Sequence, residues 1–141
     1  MCIRYRLKSG KNIKEDIRML NKYGWTFKSI ADTMLISYAI DKGIFKHNLD
    51  DLSFNHLNQT TIKYKEVVGT GKNEITFDKV TIDNAINYAA EDSLLTFKLF
   101  QNLYPRLIKE KANFVYQNID LPLVEVLYSM EATGIEINKK F

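Results

Sequence analysis

The chain has 141 residues, of which 45% are hydrophobic and 12% aromatic, so it can bury a core and does not have a disordered composition. Its net charge of +3 is mildly basic and permits a polyanionic partner without requiring one. The single cysteine, Cys2, excludes an intrachain disulfide and a cysteine-based zinc site, and two histidines are too few for a histidine-rich metal cage. No apolar run approaches the roughly 18 residues of a membrane span, and the first residues lack the apolar segment of a signal peptide. We therefore expect a cytoplasmic protein with no membrane role.

The first third of the sequence predicts a helix, a short strand and a second helix, after ten residues without a clear pattern. A helix is predicted over 13–22 because apolar residues recur one turn apart, at Ile13, Ile17 and Leu20. Gly24 supplies its left-handed stop. Loose alternation makes 25–31 the best strand candidate. Asp32 follows and can cap a second helix that runs through Ile40.

The remainder is dominated by predicted helices. A short helix is predicted over 49–57, residues 58–80 are irregular, and a long helix covers about 81–104, where Pro105 should kink or end it. A last helix is predicted over 120–132, with Pro122 in its first turn and Gly134 as its C-cap. The expected buried seam of the long helix consists of Ile82, Ala85, Ile86, Ala89, Phe97, Phe100 and Leu103. Amphipathic helices usually cover a sheet, yet only one strand is evident, so most of a sheet is expected to be missing.

Tyr88 and Asp92 form the most informative pair. They lie four residues apart on the long helix, so their side chains share one face, one turn apart. A phenol beside a carboxylate suits a site where a metal ion and an aligned water attack a phosphodiester. By itself the pair is a weak signal, because the chain contains eight tyrosines and chance pairings are common.

Two other segments contain candidate polar residues. Asn12 and Asp16 open the first helix, where Asn12 can equally be a cap and Asp16 an exposed acid near a helix N-terminus. The stretch from Gly69 to Lys72 lacks the spacing of a phosphate-binding loop, although Lys72 is a candidate phosphate contact.

The order of these segments resembles the 3′–5′ proofreading exonuclease domain of bacterial DNA polymerase I, the family A polymerases. The resemblance covers about residues 10–141. The segments that carry it are Asn12–Asp16, Ala31–Leu35, His47–Leu52, Gly69–Asn73 with Thr76-Phe77 after it, and Tyr88–Asp92. The tail from Asn118 through Ile135 is similar to the segment that enters that family's polymerase domain.

The resemblance implies an α/β, ribonuclease H-like exonuclease fold, truncated at the N-terminus so that it is mostly helical with little of the sheet. Residues 1–113 would be the C-terminal part of the exonuclease domain, and 114–141 a connecting helix at the start of the polymerase domain. The implied substrate is the 3′ end of single-stranded DNA.

The resemblance also implies roles for individual residues. Asp16 and Asp92 would help hold a pair of Mg²⁺ or Mn²⁺ ions, and Tyr88 would orient the attacking water. Asn12 and Lys72 are the candidate nucleic-acid contacts.

Two departures from the family pattern matter. The family usually has an aromatic residue where this chain has Glu15, and its first motif, an Asp-x-Glu on an early strand, has no counterpart. Glu15 is the only acid before Asp16. Since the metal-bridging aspartate is missing, we expect an N-terminally truncated exonuclease that is inactive in isolation. We also expect marginal stability, since helices with no sheet to cover expose apolar stripes.

Two alternatives remain open. The chain can be a non-catalytic remnant or split-gene product that binds nucleic acid or a complementary polymerase or exonuclease fragment. A ribonuclease D-type RNA exonuclease shares the acidic-site logic, but the tail from Asp120 to Ile137 favours the polymerase family.

Overall fold

The structure, a computed structural model, describes residues 6–44 and 46–137, so Cys2 lies outside the described residues. A small parallel sheet of two strands, β1 (Lys8–Gly10) and β2 (Ile30–Asp32), lies at one side of a mostly helical chain. The expected scarcity of sheet is confirmed, but β1 was not predicted and β2 begins later than the candidate at 25–31. Such short strands carry too few residues for a visible alternation, and their pairing is not local in sequence.

Seven helices are present in the described ranges. They are α1 (Ile13–Asn21), α2 (Thr33–Asp41), α3 (Leu49–Leu57), α4 (Tyr64–Val68), α5 (Ile82–Lys109), α6 (Asn113–Val115) and α7 (Leu121–Thr133). Short 3₁₀ turns occupy Gly71–Asn73 and Phe77–Lys79, and a π-helical turn, Tyr116–Asp120, leads into α7. The helices predicted in the first 57 residues and the last predicted helix are confirmed, whereas α4 lies in a stretch that was expected to be irregular.

Asp32 caps two helices at once. Its carboxylate accepts hydrogen bonds from the backbone N–H groups of Met34 (2.9 Å) and Leu35 (3.4 Å), which confirms its role as the N-cap of α2. It also accepts the N–H groups of Asn12 (3.0 Å) and Ile13 (2.8 Å) at the start of α1. Asn12 occupies the N-cap position of α1 in a left-handed conformation, and its side chain makes no capping bond. Asn12 is thus at the cap position, but its side chain does not cap the helix: Asp32 accepts the N–H groups of Asn12 and Ile13, and the Asn12 carbonyl accepts that of Glu15.

The buried face of α5 differs from the predicted seam. Ile82, Ile86 and Phe97 are 75%, 56% and 54% exposed. The buried residues are spaced four apart, namely Leu95, Leu99, Leu103 and Leu107, so of the predicted seam only Leu103 belongs to the fully buried stripe. Because α5 carries apolar residues on more than one side, periodicity alone could not decide which stripe packs against α2 and α3.

Pro105 does not end α5, which continues to Lys109. Leu103 and Leu107, on either side of the proline, are both fully buried in the core. Their burial is worth roughly 2 kcal/mol for each side chain, comparable to the roughly 3 kcal/mol penalty of an internal proline. Burial of these two leucines therefore offsets the cost of the internal proline, and α5 continues beyond the predicted end.

The hydrophobic core lies between α2, α3, α5 and the π-helical turn. Ile36, Leu52, Leu99 and Tyr116 are among its fully buried members. Tyr116 thus packs in the same core as the helices that precede it. None of the helices in the described part of the chain is both long and apolar enough to span a membrane.

A buried polar network crosses the same helices. The Asp41 carboxylate, 5% exposed, accepts a hydrogen bond from Ser37 (2.8 Å) and pairs with His56 (3.0 Å) and Arg106 (3.1 Å). Ser37 also hydrogen-bonds the Nδ1 atom of His47 at 2.9 Å. The network ties α2 to α5 through the ion pair of Asp41 with Arg106, and to α3 through the contact of Asp41 with His56.

Candidate active site

An open cleft of about 570 Å³ lies beside the carboxyl end of β1, between α1 and α5. Two acids that are far apart in sequence, Asp16 of α1 and Asp92 of α5, line this acidic cleft. The other residues that line it are Leu7, Ser9, Gly10, Lys11, Leu49, Ser93, Thr96, Phe97 and Phe100. The carboxyl ends of parallel strands are where open α/β sheets commonly bind ligands.

Asp16 lies against the end of β1 because Gly10 has no side chain. A Cβ atom at Gly10 would be 3.2 Å from Oδ2 of Asp16 and 3.1 Å from Cγ1 of Ile13. Partial burial raises the pKa of Asp16, and the negative charges of Asp32 and Glu15 raise it further. The Asp16 carboxylate is therefore an acid whose negative charge is not compensated by its surroundings.

Asp92 is hydrogen-bonded to Tyr88, as their spacing on one helix face allows. Burial raises the pKa of Asp92, the hydrogen bond from the Tyr88 hydroxyl lowers it, and the charges of Glu91 and Asp50 raise it again. Burial and the Asp92 charge both raise the pKa of Tyr88. The phenol therefore stays protonated at neutral pH and donates its hydrogen bond to the Asp92 carboxylate.

An aromatic wall fixes the ring of Tyr88. Its ring centroid is 6.2 Å from that of Tyr64 and 6.0 Å from that of Phe77, and these two rings are 6.1 Å apart. The chain before Tyr64 is held by the Ile62 N–H group, which donates to the Glu91 carboxylate at 2.6 Å. Sequence reasoning did not single out these residues, although Phe77 and Glu91 both lie inside segments that carried the family resemblance.

Two lysines, Lys11 and Lys63, place positive charge close to the carboxylates of Asp92 and Asp50. Lys11 lines the acidic cleft, and its charge lowers the pKa of both Asp92 and Asp50. Lys63 pairs with Asp50 at 2.7 Å. Although burial raises the pKa of Asp50, its hydrogen bonds to Lys63 and Thr61 lower it overall. Lys11 follows Gly10 directly, and it was missed because a single lysine in a basic segment gives no sequence signal.

The two candidate nucleic-acid contacts lie in different places. Asn12 is half-buried at the start of α1, next to Lys11, which lines the cleft. Lys72 lies on an exposed 3₁₀ turn and is not among the residues that line the cleft. The roles of both residues stay predictions.

The acids that line the cleft offer the type of ligand atom that a divalent cation binds, but they are too few to hold two ions. Asp16 and Asp92 offer the hard oxygen ligands that Mg²⁺ and Mn²⁺ prefer. Within residues 6–44 and 46–137, no three or more His, Cys, Asp or Glu side chains group closely enough to hold a metal ion. The third acid that a pair of ions needs is not supplied by the described residues.

Comparison with known proteins gives a family and several relatives. A family model described as 3′–5′ exonuclease matches residues 5–108. The chain is 45% identical over 134 residues to DNA polymerase I of Rhizobium leguminosarum, and the matched region covers 95% of this chain and 13% of the relative. It is 37% identical over 134 residues to DNA polymerase I of Pseudomonas aeruginosa, covering 92% of this chain and 15% of that protein. DNA polymerase I of Chloroflexus aurantiacus is 34% identical over 140 residues, 95% of this chain and 14% of the relative. The chain therefore spans about one seventh of the length of these curated relatives.

Proposed function

The chain belongs to the 3′–5′ exonuclease family, and we propose that it forms part of a proofreading site that hydrolyses 3′-terminal nucleotides from DNA. The observation that carries the proposal is the meeting of Asp16 and Asp92 in one cleft, with Tyr88 hydrogen-bonded to Asp92. We also propose that the small parallel sheet and its helices belong to a ribonuclease H-like exonuclease fold. Residues 1–113 would be its exonuclease part, and 114–141 would lead into a polymerase domain.

The proposed chemistry is attack of water on the terminal phosphodiester. Bound Mg²⁺ or Mn²⁺ would supply an activated water and stabilise the leaving oxygen. Asp16 and Asp92 would provide two of the carboxylate ligands, and their raised pKa values indicate negative charge that a cation would neutralise. The Tyr88 hydroxyl fixes the orientation of Asp92, and the aromatic wall keeps the phenol at a constant position from which it can orient a water molecule.

The proposed substrate is the 3′ end of single-stranded DNA. Lys11 offers a positive charge inside the cleft, where a phosphate would approach. Tyr64 and Phe77, which are 49% and 38% exposed, present aromatic faces on which a nucleobase can stack. Asn12 and Lys72 remain the proposed additional contacts to the strand.

We propose that the isolated chain does not catalyse this reaction. Two neighbouring divalent ions repel each other strongly, and a pair held by Asp16 and Asp92 alone would be poorly neutralised. An Asp-x-Glu segment would have to come from sequence outside this chain, for example from a complementary polymerase or exonuclease fragment. The missing acid therefore predicts weak metal binding and no hydrolysis.

A non-catalytic module that binds nucleic acid or a polymerase fragment is the second candidate function. The observation that favours it is the apolar stripe on the first turns of α5, where Ile82 and Ile86 are 75% and 56% exposed. Exposed apolar residues of this kind often mark a contact with another protein surface.

The experiment that tests the proposal incubates the purified chain with a 5′-labelled single-stranded oligonucleotide and Mg²⁺ or Mn²⁺, beside an Asp92→Ala variant. We expect no shortening with either protein and a weak, salt-sensitive binding of the oligonucleotide. Stepwise 3′ shortening that disappears in Asp92→Ala would show that two carboxylates suffice. A chain that fails to bind the oligonucleotide at low salt would contradict the proposed substrate.

A further inference from the structure

The helix that carries Asp16 is held by residues that follow the exonuclease match. That match ends at residue 108, whereas three side chains that contact α1 or its cap come later, namely Tyr116, Tyr128 and Glu131. They lie on the π-helical turn and on α7, and we call 116–131 the clamp segment. Its contacts with α1 fall into two groups, one at the first turn of the helix and one along its outer side.

The first group acts through Asp32. Tyr116 is fully buried, and its hydroxyl oxygen accepts the backbone N–H of Asp32 at 3.1 Å. Asp32 is itself 1% exposed, and its carboxylate accepts the N–H groups of Asn12 and Ile13. The tyrosine thus fixes the backbone of the residue that anchors the N-terminus of α1. The bonds of Asp32 to Tyr116 and Ile13 are buried, so water does not readily replace a partner lost there.

The second group holds the outer side of α1. Lys14 pairs with Glu131, and the Asn21 side chain donates to the Tyr128 hydroxyl. At about 100° per residue, Lys14 and Asn21 lie on nearly the same side of α1, and Asp16 lies on the opposite side. The clamp segment therefore contacts α1 on the side that faces away from the acidic cleft.

We propose that the clamp segment is a positioning element for Asp16, with Tyr116 as its principal positioning residue. The inference rests on the proposed function, in which Asp16 is a metal-binding acid of the exonuclease site. Since α1 is short and Asp16 lies in its first turn, a displacement of that turn displaces the carboxylate directly. The geometry of the acidic cleft then depends on the segment that follows the exonuclease match, so movements of α7 reach Asp16.

The experiment compares Tyr116→Phe with a matched control, Tyr104→Phe, which removes the same atom from a partly exposed tyrosine of α5. Amide hydrogen exchange by NMR is measured at Asn12 and Ile13, and at Leu99 in the core. We expect exchange at Asn12 and Ile13 to rise about tenfold more than at Leu99 in Tyr116→Phe, because the loss is local. Tyr104→Phe should leave these ratios unchanged. An equal rise at all three amides, or no rise at the first two, would overturn the proposal.

A second readout separates a positioning role from a purely structural one. The Mn²⁺-induced broadening of the Asp16 resonances is measured at equal folded fraction, and we expect it to weaken several-fold in Tyr116→Phe and not in Tyr104→Phe. Unchanged broadening would contradict the positioning role. If the unsubstituted chain shows no broadening at Asp16, the proposed function fails, while the exchange measurement still decides whether the clamp segment holds α1.

Should Tyr116→Phe not fold, the surface double variant Tyr128→Phe with Glu131→Gln takes its place. It is expected to weaken the broadening, and an unchanged response would overturn the proposal.

Discussion

Adding one methyl group at Gly10 should disturb the acidic cleft, because the added atom would lie too close to α1. The Cβ atom of Gly10→Ala would be 3.1 Å from Cγ1 and 3.2 Å from Cβ of Ile13, and 3.2 Å from Oδ2 of Asp16. Carbon atoms prefer separations of about 3.5–4.0 Å, so the two carbon contacts are too short by several tenths of an ångström. Ile13 is 4% exposed and cannot turn away. The first turn of α1 must therefore move.

The loss of stability caused by Gly10→Ala follows from two opposing effects. Overpacking of a well-packed site costs about 1–3 kcal/mol. Replacement of glycine at a backbone position that alanine tolerates returns about 0.4–1 kcal/mol by restricting the unfolded chain, and Gly10 does not have a positive φ angle. The net loss is roughly 0.5–2 kcal/mol, which corresponds to a fall in Tm of about 2–6 °C for a chain of this length.

Thermal unfolding followed by circular dichroism measures this loss, with Ser9→Ala as the control on the same strand. Ser9→Ala adds no atom near Asp16 and should leave the Tm within about 2 °C. In an Asp16→Ala background the loss caused by Gly10→Ala should shrink, because one of the short contacts is gone. An unchanged Tm for Gly10→Ala, or the same loss in both backgrounds, would refute the close approach of Asp16 to Gly10.

Three further predictions concern the site and the core. The folded-state pKa of Asp92 is raised, so the contribution of this group to stability is fully present below pH ~4 and is lost as the pH rises through the folded pKa. Asp92→Asn removes the destabilising charge and should therefore raise the Tm at pH 7. Thermal melts at a series of pH values should show this gain vanishing near pH ~3. Asp41→Ala leaves His56 and Arg106 without their shared carboxylate and should lower the free energy of unfolding by about 3 kcal/mol in a urea titration, whereas a loss below about 1 kcal/mol would show that the network is not stabilising. Tyr88→Phe keeps the ring contacts, so Tm should change by less than about 3 °C, yet it should reduce exonuclease activity up to about 100-fold once the missing acid is supplied; full activity would exclude a role for the hydroxyl.

The parts of the fold that the sequence predicts correctly are those with local signals. The α1 helix follows from one-turn spacing, α2 from the Asp32 cap, and α7 from Pro122 near its start and Gly134 at its end. These features depend on residues within one or two turns of each other, so they can be read without knowing the tertiary structure.

Features that depend on distant partners could not be read in this way. The β1 strand has three residues and is defined by its pairing with β2 across α1. The buried stripe of α5 depends on which side meets α2 and α3, so packing rather than periodicity selected Leu99 over Phe97. The bond between Tyr116 and Asp32 joins residues 84 positions apart, and no local pattern marks it.

The residues of the candidate site can likewise be separated into those that the sequence predicts and those that only the tertiary structure reveals. The family resemblance gave Asp16, Asp92 and Tyr88; the structure places Asp16 and Asp92 in the lining of one cleft and joins Tyr88 to Asp92 by a hydrogen bond. The need for a residue without a side chain at Gly10 appeared only once α1 was placed against β1. The position of the Lys11 charge in the cleft also depends on the tertiary structure, because Asp92, which lines the same cleft, comes from α5.

The measurement that tests the central claim most directly is hydrolysis after the missing acid is supplied. The chain is extended at its N-terminus with a segment that carries the Asp-x-Glu motif implied by the family resemblance, and it is incubated with a 5′-labelled oligonucleotide and Mg²⁺. If Asp16 and Asp92 form part of an exonuclease site, the extended chain shortens the strand from its 3′ end, and Asp92→Ala abolishes the shortening. A folded extended chain that leaves the oligonucleotide intact, or that shortens it equally well without Asp92, would contradict the account.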